Sequence, residues 1–138
     1  MRRSERVSKW MTRDVRTVQV GQRLSEVSEL MRSEAFHHVP VVDGARLVGI
    51  LSATDLLRVS YEYGVDDRHN NAVLDDTVTI RELMTEPLTV RHDATVRDAL
   101  ELLASGKFHA VPVVGDAGEV VGILTTTDVV RNVLDLVT

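Results

Sequence analysis

The sequence contains no cysteine among its 138 residues. Disulfide scaffolds, thiol catalysis and cysteine-based zinc or iron–sulfur sites are therefore excluded. Aromatic residues are scarce as well, with one tryptophan, two tyrosines and two phenylalanines, so aliphatic side chains must build the core. A chain of this length buries roughly 68–70% of the surface that its unfolded form exposes, and can therefore fold around such a core without a metal or a cross-link.

Long apolar runs and a net positive charge are also lacking. The longest runs, such as residues 120–124, fall far short of the ~20 residues that a membrane helix needs. The opening segment 1–6 leads from arginines into Ser-Glu-Arg rather than into the apolar region of a signal peptide. We therefore expect a cytoplasmic protein that does not interact with membranes. The net charge of −5 argues against a nucleic-acid partner, because binding to phosphate backbones requires an electropositive face.

The most informative feature present is an internal repeat. Residues 36–42, Phe-His-His-Val-Pro-Val-Val, recur at 108–114 with six of seven positions identical. Residues 48–58, which contain Gly-Ile-Leu-Ser-Ala-Thr-Asp, recur at 121–131 with Gly-Ile-Leu-Thr-Thr-Thr-Asp. Shorter matches join Met11-Thr12 to Met84-Thr85 and Thr17-Val18 to Thr89-Val90. Two copies of one unit therefore fill most of the chain.

Each copy predicts the same order of elements. A short β segment (about 16–20 and about 88–91) precedes apolar residues at helical spacing, then a β-hairpin, then a closing helix from Ser52 to about Tyr63 or from Thr125 to about Val137. In the second copy Thr95 begins a capping box, whereas Arg23 aligns with it in the first copy, so we expect the first helix to begin less firmly. The unit is β-α-β-β-α.

A single copy cannot cover both faces of its small sheet, so we expect the two copies to pack sheet to sheet. The polar segment 64–77 lies between them. It is typical of an exposed linker, and a ligand-sensing lid is the alternative interpretation.

The repeated order of motifs resembles the CBS domain, named after cystathionine β-synthase, as a tandem pair. The resemblance covers residues 7–63 and 78–137, with 64–77 as linker, and makes residues 1–138 a single module. It implies an α+β fold of two β-α-β-β-α motifs with pseudo-twofold symmetry. Such pairs, called Bateman modules, usually dimerise and bind adenosine-containing ligands in clefts between the motifs. The resemblance thus implies a stand-alone regulatory module, a homodimer that is not an enzyme and signals to a partner protein.

The junction between the last strand and the last helix of each copy is the predicted ligand site. There Ser52 to Asp55, or Thr125 to Asp128, stands at a helix start, where unpaired backbone N–H groups beside hydroxyls favour an anion. A carboxylate would repel phosphate and suits a neutral diol such as ribose. The same residues also satisfy a capping box, which needs no ligand. The sequence leaves both interpretations open.

The resemblance implies a specific set of ligand-binding residues. Asp55 and Asp128 would bind ribose, and the hydroxyls of the same two segments would contact phosphate. Residues of the short strand and of the His-x-x-Pro run would line the base pocket. The full set is Thr17, Val18, His38, Val39, Pro40, Ser52, Thr54, Asp55, Thr89, Val90, Ala110, Val111, Pro112, Thr125, Thr127 and Asp128. The implied ligands are AMP, ADP, ATP or S-adenosylmethionine, none of them a required cofactor.

The two predicted sites are not identical. Neither window contains a lysine or arginine, and Arg58 and Arg131 follow one turn later, where each can equally pair with the aspartate three residues before it. Near the first short strand stand Arg13 and Arg16, whereas the second copy has Glu86-Pro87. We therefore expect the sites to be inequivalent.

Enzymatic and metal motifs are absent from the sequence. It has no phosphate-binding P-loop, Gly-x-Gly-x-x-Gly, Gly-x-Ser-x-Gly or His-Glu-x-x-His motif. The adjacent His37 and His38 point to opposite faces of a predicted strand and cannot chelate one ion together. No third ligand at characteristic spacing accompanies His37 and its repeat equivalent His109. We predict neither a catalytic residue nor a metal site.

A ligand-free interaction module is the competing hypothesis. In it the junction residues serve only as helix caps, and the chain dimerises through apolar helix faces. The faces that we name for this role are Leu24, Val27 and Met31 on the first helix and Val96, Ala99 and Leu103 on its equivalent.

Overall fold

The computed structural model describes residues 5–34, 37–62 and 75–137. After a 3-10 turn at Val7–Lys9, the elements are β1 (Val18–Gln19), α1 (Leu24–Glu34), β2 (His38–Asp43), β3 (Arg46–Ser52), α2 (Ala53–Glu62), α3 (Ile80–Leu83), β4 (Val90–Arg91), α4 (Val96–Ala104), β5 (Ala110–Val114), β6 (Val120–Thr125) and α5 (Thr126–Leu136). The predicted α+β class and the β-α-β-β-α order of both copies are confirmed. Residues 64–74 of the segment that we interpret as a linker or a lid lie outside the described residues.

The described residues form two compact units, each with its own three-stranded sheet. The first-copy unit contains residues 16–34, 37–44, 48–62 and 75–86. The second-copy unit contains residues 5–15, 45–47 and 87–137. Each unit thus joins most of the sheet and helices of one copy to the segment that precedes the short first strand of the other copy.

The first-copy unit has the strand order β1-β2-β3, in which β1 runs parallel to β2 with Val18 opposite Val41. Its core lies between this sheet and the helices, and is aliphatic as the composition requires. Buried core members include Val39, Leu51 and Ile80, the last contributed by α3. The short helix α3 was not predicted from the sequence. It begins where the Thr79 hydroxyl accepts a hydrogen bond from the backbone N–H of Glu82 at 3.2 Å.

The second-copy unit repeats this arrangement with the strand order β4-β5-β6. β4 runs parallel to β5, with Val90 opposite Val113, and β5 runs antiparallel to β6, with Ala110 opposite Thr125. Its core includes Val7 and Trp10 from the leading segment of the chain, together with residues of α4 and the sheet. Burial of Val7 and Trp10 fixes the leading segment to this unit.

The helix start that we expected to be weak receives its cap from a distant residue. The carboxylate of Asp75 accepts hydrogen bonds from the backbone N–H of Ser25 at 2.9 Å and from its hydroxyl at 2.7 Å. The predicted capping box at Thr95 is confirmed, with both reciprocal hydrogen bonds to Asp98 present. α1 is therefore capped as well, by a carboxylate fifty residues further along the chain.

The helix faces that we named for dimerisation are wrong. On α1 the three apolar residues are buried in the core of the first-copy unit: Leu24 is 1% exposed, Val27 0% and Met31 6%. On α4, Val96 and Ala99 are buried, and Leu103 packs against the same core. Helical periodicity identified these faces, but each is already occupied by its own sheet.

Within the three described ranges, no helix is long and apolar enough to cross a bilayer. The longest described helices, α1 and α5, have 11 residues each, about half of what a membrane span requires.

Candidate functional site

The junction of the second-copy unit is closed by a complete capping box. The Thr125 hydroxyl accepts the backbone N–H of Asp128 at 3.1 Å, and Oδ2 of Asp128 accepts the N–H of Thr125 at 2.9 Å. The other carboxylate oxygen, Oδ1, accepts a hydrogen bond from the hydroxyl of Thr12 at 3.0 Å. Asp128 is 8% exposed and is the single buried polar residue among the described part of the chain. Both of its oxygens are thus used within the protein.

The junction of the first-copy unit has the same cap but a different outer contact. The Ser52 hydroxyl accepts the N–H of Asp55 at 3.1 Å, and Oδ2 of Asp55 accepts the N–H of Ser52 at 3.0 Å. Here Oδ1 accepts a hydrogen bond from the Arg58 guanidinium at 3.2 Å. The Arg58 side chain is 56% exposed, so this pair of residues one helical turn apart is worth only about 0.2–0.5 kcal/mol.

Most of the N–H groups at these helix starts are already bonded. The N–H of Ala53 donates to the carbonyl of His37 at 2.9 Å, and the N–H of Thr126 donates to the carbonyl of His109 at 3.0 Å. Both junctions thus form the capping box that the sequence predicts, and few of their N–H groups are left for an anion.

One donor remains at each helix start. Among the described residues, the backbone N–H groups of Thr54 and Thr127 have no hydrogen-bond partner. Each belongs to an exposed residue that also carries a hydroxyl. A junction therefore offers an anion one N–H and one hydroxyl from the same threonine.

The apolar residues expected to line a base pocket have their side chains in the core. Val18 and Val39 are buried in the first-copy unit, and Val90 and Val111 are buried in the second. Pro40, Pro112 and Ala110 are buried as well. Exposure of the whole residue is at most 9% for each of them, and Val39 and Val111 are at 0%, so these residues present almost no surface to a ligand.

The polar members of the expected base pocket are more accessible. Thr17 directly precedes β1 and Thr89 directly precedes β4, and both are exposed. The parallel register places these threonines beside Pro40 and Pro112 respectively. His38 is half-buried at the start of β2. The β1 and β2 residues of the predicted set thus lie side by side in their sheet, as do those of β4 and β5.

Two residues that sequence analysis did not assign to the site also lie at these junctions. Thr12 forms a two-way backbone pair with Ile123 of β6, at 2.8 and 3.0 Å. Thr85 forms the equivalent pair with Ile50 of β3, at 2.9 and 3.0 Å. The repeat of the Met-Thr dipeptide could have indicated these residues. A dipeptide that recurs outside the predicted strands is expected to make the same contact in both copies.

Charge near the second short strand is organised around Asp116. Its carboxylate accepts hydrogen bonds from His92 Nε2 at 3.0 Å and from the Arg91 guanidinium at 2.6 Å. These contacts lower the pKa of Asp116 below its ordinary value, His92 contributing most. The hydrogen bond from Arg91 likewise lowers the pKa of Asp93. This arginine next to Val90 is therefore engaged with two carboxylates and is a poor candidate for holding a ligand phosphate.

A family model for the CBS domain matches the chain twice, at residues 7–62 and 80–135. The chain belongs to the CBS domain family. Together the two matches take in both junctions and both short first strands.

Relatives of known sequence include enzymes in which a CBS pair is one part. The chain is 30% identical over 126 residues to inosine-5′-monophosphate dehydrogenase of Korarchaeum cryptofilum, covering 91% of the chain but 24% of that protein. It is 28% identical to protein MJ1225 of Methanocaldococcus jannaschii, covering 93% of the chain and 47% of that protein. The chain thus spans about a quarter to a half of the length of these curated relatives.

Solved structures of CBS pairs match almost the entire chain. CBSX2 of Arabidopsis thaliana in complex with AMP has a TM-score of 0.79 and 30% identity, covering 97% of this chain and 99% of that one. The CBS pair of MJ0100, in complex with 5′-methylthioadenosine and S-adenosyl-L-methionine, has a TM-score of 0.76 and 25% identity, covering 93% and 98%.

Proposed function

We propose that this CBS pair is a regulatory module that binds an adenosine-containing ligand of the AMP, ADP or ATP class and signals its occupancy to a partner protein. One observation carries the proposal: a CBS pair that covers almost all of this chain at 30% identity was crystallised with AMP. The MJ0100 pair, crystallised with S-adenosyl-L-methionine and its methylthio relative, supports the wider adenosyl class.

The junction chemistry fits the parts of such a ligand. Ribose carries two neutral hydroxyl donors, which the carboxylate at one of the two junctions accepts. The phosphate would be contacted by the hydroxyls of Ser52 and Thr125 and by the exposed Thr54 and Thr127. The positive end of the helix dipole at the same place favours the negative charge. The base would lie beside the accessible residues of the same region, Thr17 and His38 in the first copy or Thr89 in the second.

We propose further that the chain is a cytoplasmic sensor rather than an enzyme, with no nucleic-acid or membrane partner. The sequence offers no recognisable set of nucleophile, base and orienting group. Its match to inosine-5′-monophosphate dehydrogenase is confined to about a quarter of that enzyme. A bound ligand would then act by signalling to a partner protein.

We propose a homodimer that forms through the closing helices. On α5, Val130, Val133 and Leu134 are spaced to share one helix face, and they are 59, 44 and 58% exposed. The C-cap residue Val137 continues this spacing and is 74% exposed. On α2, Leu57 and Tyr61 occupy the repeat-equivalent positions of Val130 and Leu134, and they are 72% and 89% exposed. Exposed apolar faces at matching places in both copies fit a second copy of the chain, since a twofold dimer uses the same patch on both subunits.

The second candidate function is a ligand-free dimerisation module. The completed capping boxes favour it, because every described contact of Asp55 and Asp128 is explained without a ligand. Thermal unfolding of the purified chain with AMP, ADP, ATP, S-adenosylmethionine and, as a control, GMP separates the two. A ligand at 100 times its dissociation constant stabilises the fold by about 2.7 kcal/mol. A saturable rise with an adenine compound and none with GMP supports the sensor, and no rise with any compound supports the dimerisation module.

A further inference from the structure

The two junction carboxylates are equivalent by the repeat but are not equally available. Both use Oδ2 to cap their own helix. The Oδ1 of Asp128 is bonded to the hydroxyl of Thr12, and the residue is 8% exposed. Within the part of the chain that the structure describes, the Oδ1 of Asp55 is bonded to the exposed Arg58 side chain alone, and the Asp55 side chain is 14% exposed. The contact that a ribose hydroxyl would have to replace therefore differs between the two copies.

At Asp128 the contact comes from Thr12, in a segment that several hydrogen bonds and a buried side chain hold in place. Thr12 is paired with Ile123 through both backbone hydrogen bonds, and Trp10 is 7% exposed in the core of the second-copy unit. The Asn132 side chain donates to the carbonyl of Trp10 at 3.4 Å and to that of Asp128 at 2.8 Å. Backbone and side-chain hydrogen bonds thus hold both partners of the bond between Thr12 and Asp128 in place.

The described residues of the first copy contain no equivalent hydrogen bond between the threonine of the leading segment and the junction aspartate. Thr85, the repeat equivalent of Thr12, keeps the backbone pair with Ile50. Within the described residues, its hydroxyl makes no hydrogen bond to Asp55. The position equivalent to Asn132 is Val59, which is buried at 4% exposure and offers no polar group. Among the residues that the structure describes, the exposed Arg58 guanidinium is the group bonded to Oδ1 of Asp55, where a ligand hydroxyl would bind.

We infer that the two junctions perform different tasks: Asp128 fastens segment 10–12 to α5, and Asp55 is the carboxylate that receives the ligand. This rests on the proposed function, and it gives one ligand per chain rather than two. A diol that donates to Oδ1 of Asp55 replaces one guanidinium N–H. The released Arg58 lies one helical turn after Thr54, whose hydroxyl would contact the phosphate together with that of Ser52.

The test is calorimetric titration of AMP into the full chain and four variants, with the melting temperature of each. For the wild type we expect one AMP per chain. Asp55→Asn should weaken binding about tenfold or more, because a hydrogen bond to a charged acceptor is lost. Asp128→Asn and Thr12→Val should bind AMP within about threefold of wild type but melt at a lower temperature. Thr85→Val, the matched control for Thr12→Val, should change neither quantity.

The inference is overturned if the wild type binds two AMP per chain, or if Asp128→Asn or Thr12→Val loses AMP binding while Asp55→Asn retains it. Those results would leave the proposed function intact, because AMP would still bind. If the wild type binds none of AMP, ADP, ATP or S-adenosylmethionine, the proposed function fails instead. In that case the fastening role of Asp128 is still decided by the melting temperatures of Thr12→Val and Thr85→Val.

Discussion

The side chain of Met84 packs directly over the backbone of Gly49, so closely that a Cβ on the glycine would overlap the methionine side chain. Met11 covers Gly122 in the same way. Each methionine immediately precedes the threonine that pairs with the edge strand at that place. The absence of a side chain at Gly49 and Gly122 is thus what lets the leading segments approach the strands next to the junctions.

The first prediction concerns this close approach. Gly49→Ala should destabilise the fold by about 1–3 kcal/mol, the usual cost of forcing an extra carbon into a packed site. Thermal denaturation measures the loss. Gly21→Ala is the matched control, because a Cβ there would meet nothing within 4 Å. Adding Met84→Ala to Gly49→Ala should restore part of the stability, and a Gly49→Ala variant as stable as the control would contradict the packing argument.

The second prediction concerns the remote cap of α1. Asp75→Ala should cost about 0.5–2 kcal/mol, because it removes the acceptor for the N–H and hydroxyl of Ser25. Chemical denaturation of the variant gives the free energy of unfolding. The neighbouring exposed Asp76→Ala serves as control, and equal effects of the two substitutions would show that Asp75 acts through net charge rather than as a cap.

The third prediction concerns Arg58. If its guanidinium moves from Asp55 to the ligand phosphate, Arg58→Ala should weaken AMP about tenfold or more and leave adenosine nearly unchanged, because only AMP carries the phosphate. Titration of both ligands into the variant measures the two affinities. Arg131→Ala, at the repeat-equivalent position, should alter neither. Parallel losses of AMP and adenosine in Arg58→Ala would mean that the arginine supports the fold of the site and not the phosphate.

The fourth prediction concerns the dimer. Leu134→Glu places a charge on the exposed apolar face of α5 and should convert the dimer to a monomer without loss of the folded state. Light scattering after size-exclusion chromatography measures the mass, and circular dichroism measures the fold. Leu88→Glu changes a leucine of similar exposure outside the helices and should remain dimeric. A wild type that is monomeric would refute the dimer itself, whereas a dimeric Leu134→Glu would refute only this surface.

The elements of the fold could be predicted because their signals are local. Apolar spacing in residues 24–31 and 96–103, and β-branched runs on either side of a turn, each act within a few residues. The repeat then doubled every signal. An apolar helix face has the same spacing whether it packs on its own sheet or on another chain. For this reason the faces of α1 and α4 were wrongly assigned to a dimer.

Contacts between residues far apart in the sequence could not be predicted in this way. The bonds from Thr12 to Asp128 and from Ser25 to Asp75 join residues 116 and 50 positions apart. Nothing in a local window indicates such a pairing. The sequence did indicate inequivalence through Arg13 and Arg16, but the structure adds a different cause in the outer contacts of Asp55 and Asp128.

The central claim is that this CBS pair binds an adenosine-containing ligand, and a direct titration of AMP against the purified chain tests it. We predict saturable binding of AMP that GMP does not reproduce and that Asp55→Asn weakens. Absence of saturable binding by AMP, ADP, ATP and S-adenosylmethionine, in a sample that unfolds cooperatively, would contradict the claim and leave the capped, ligand-free dimerisation module as the function of the chain.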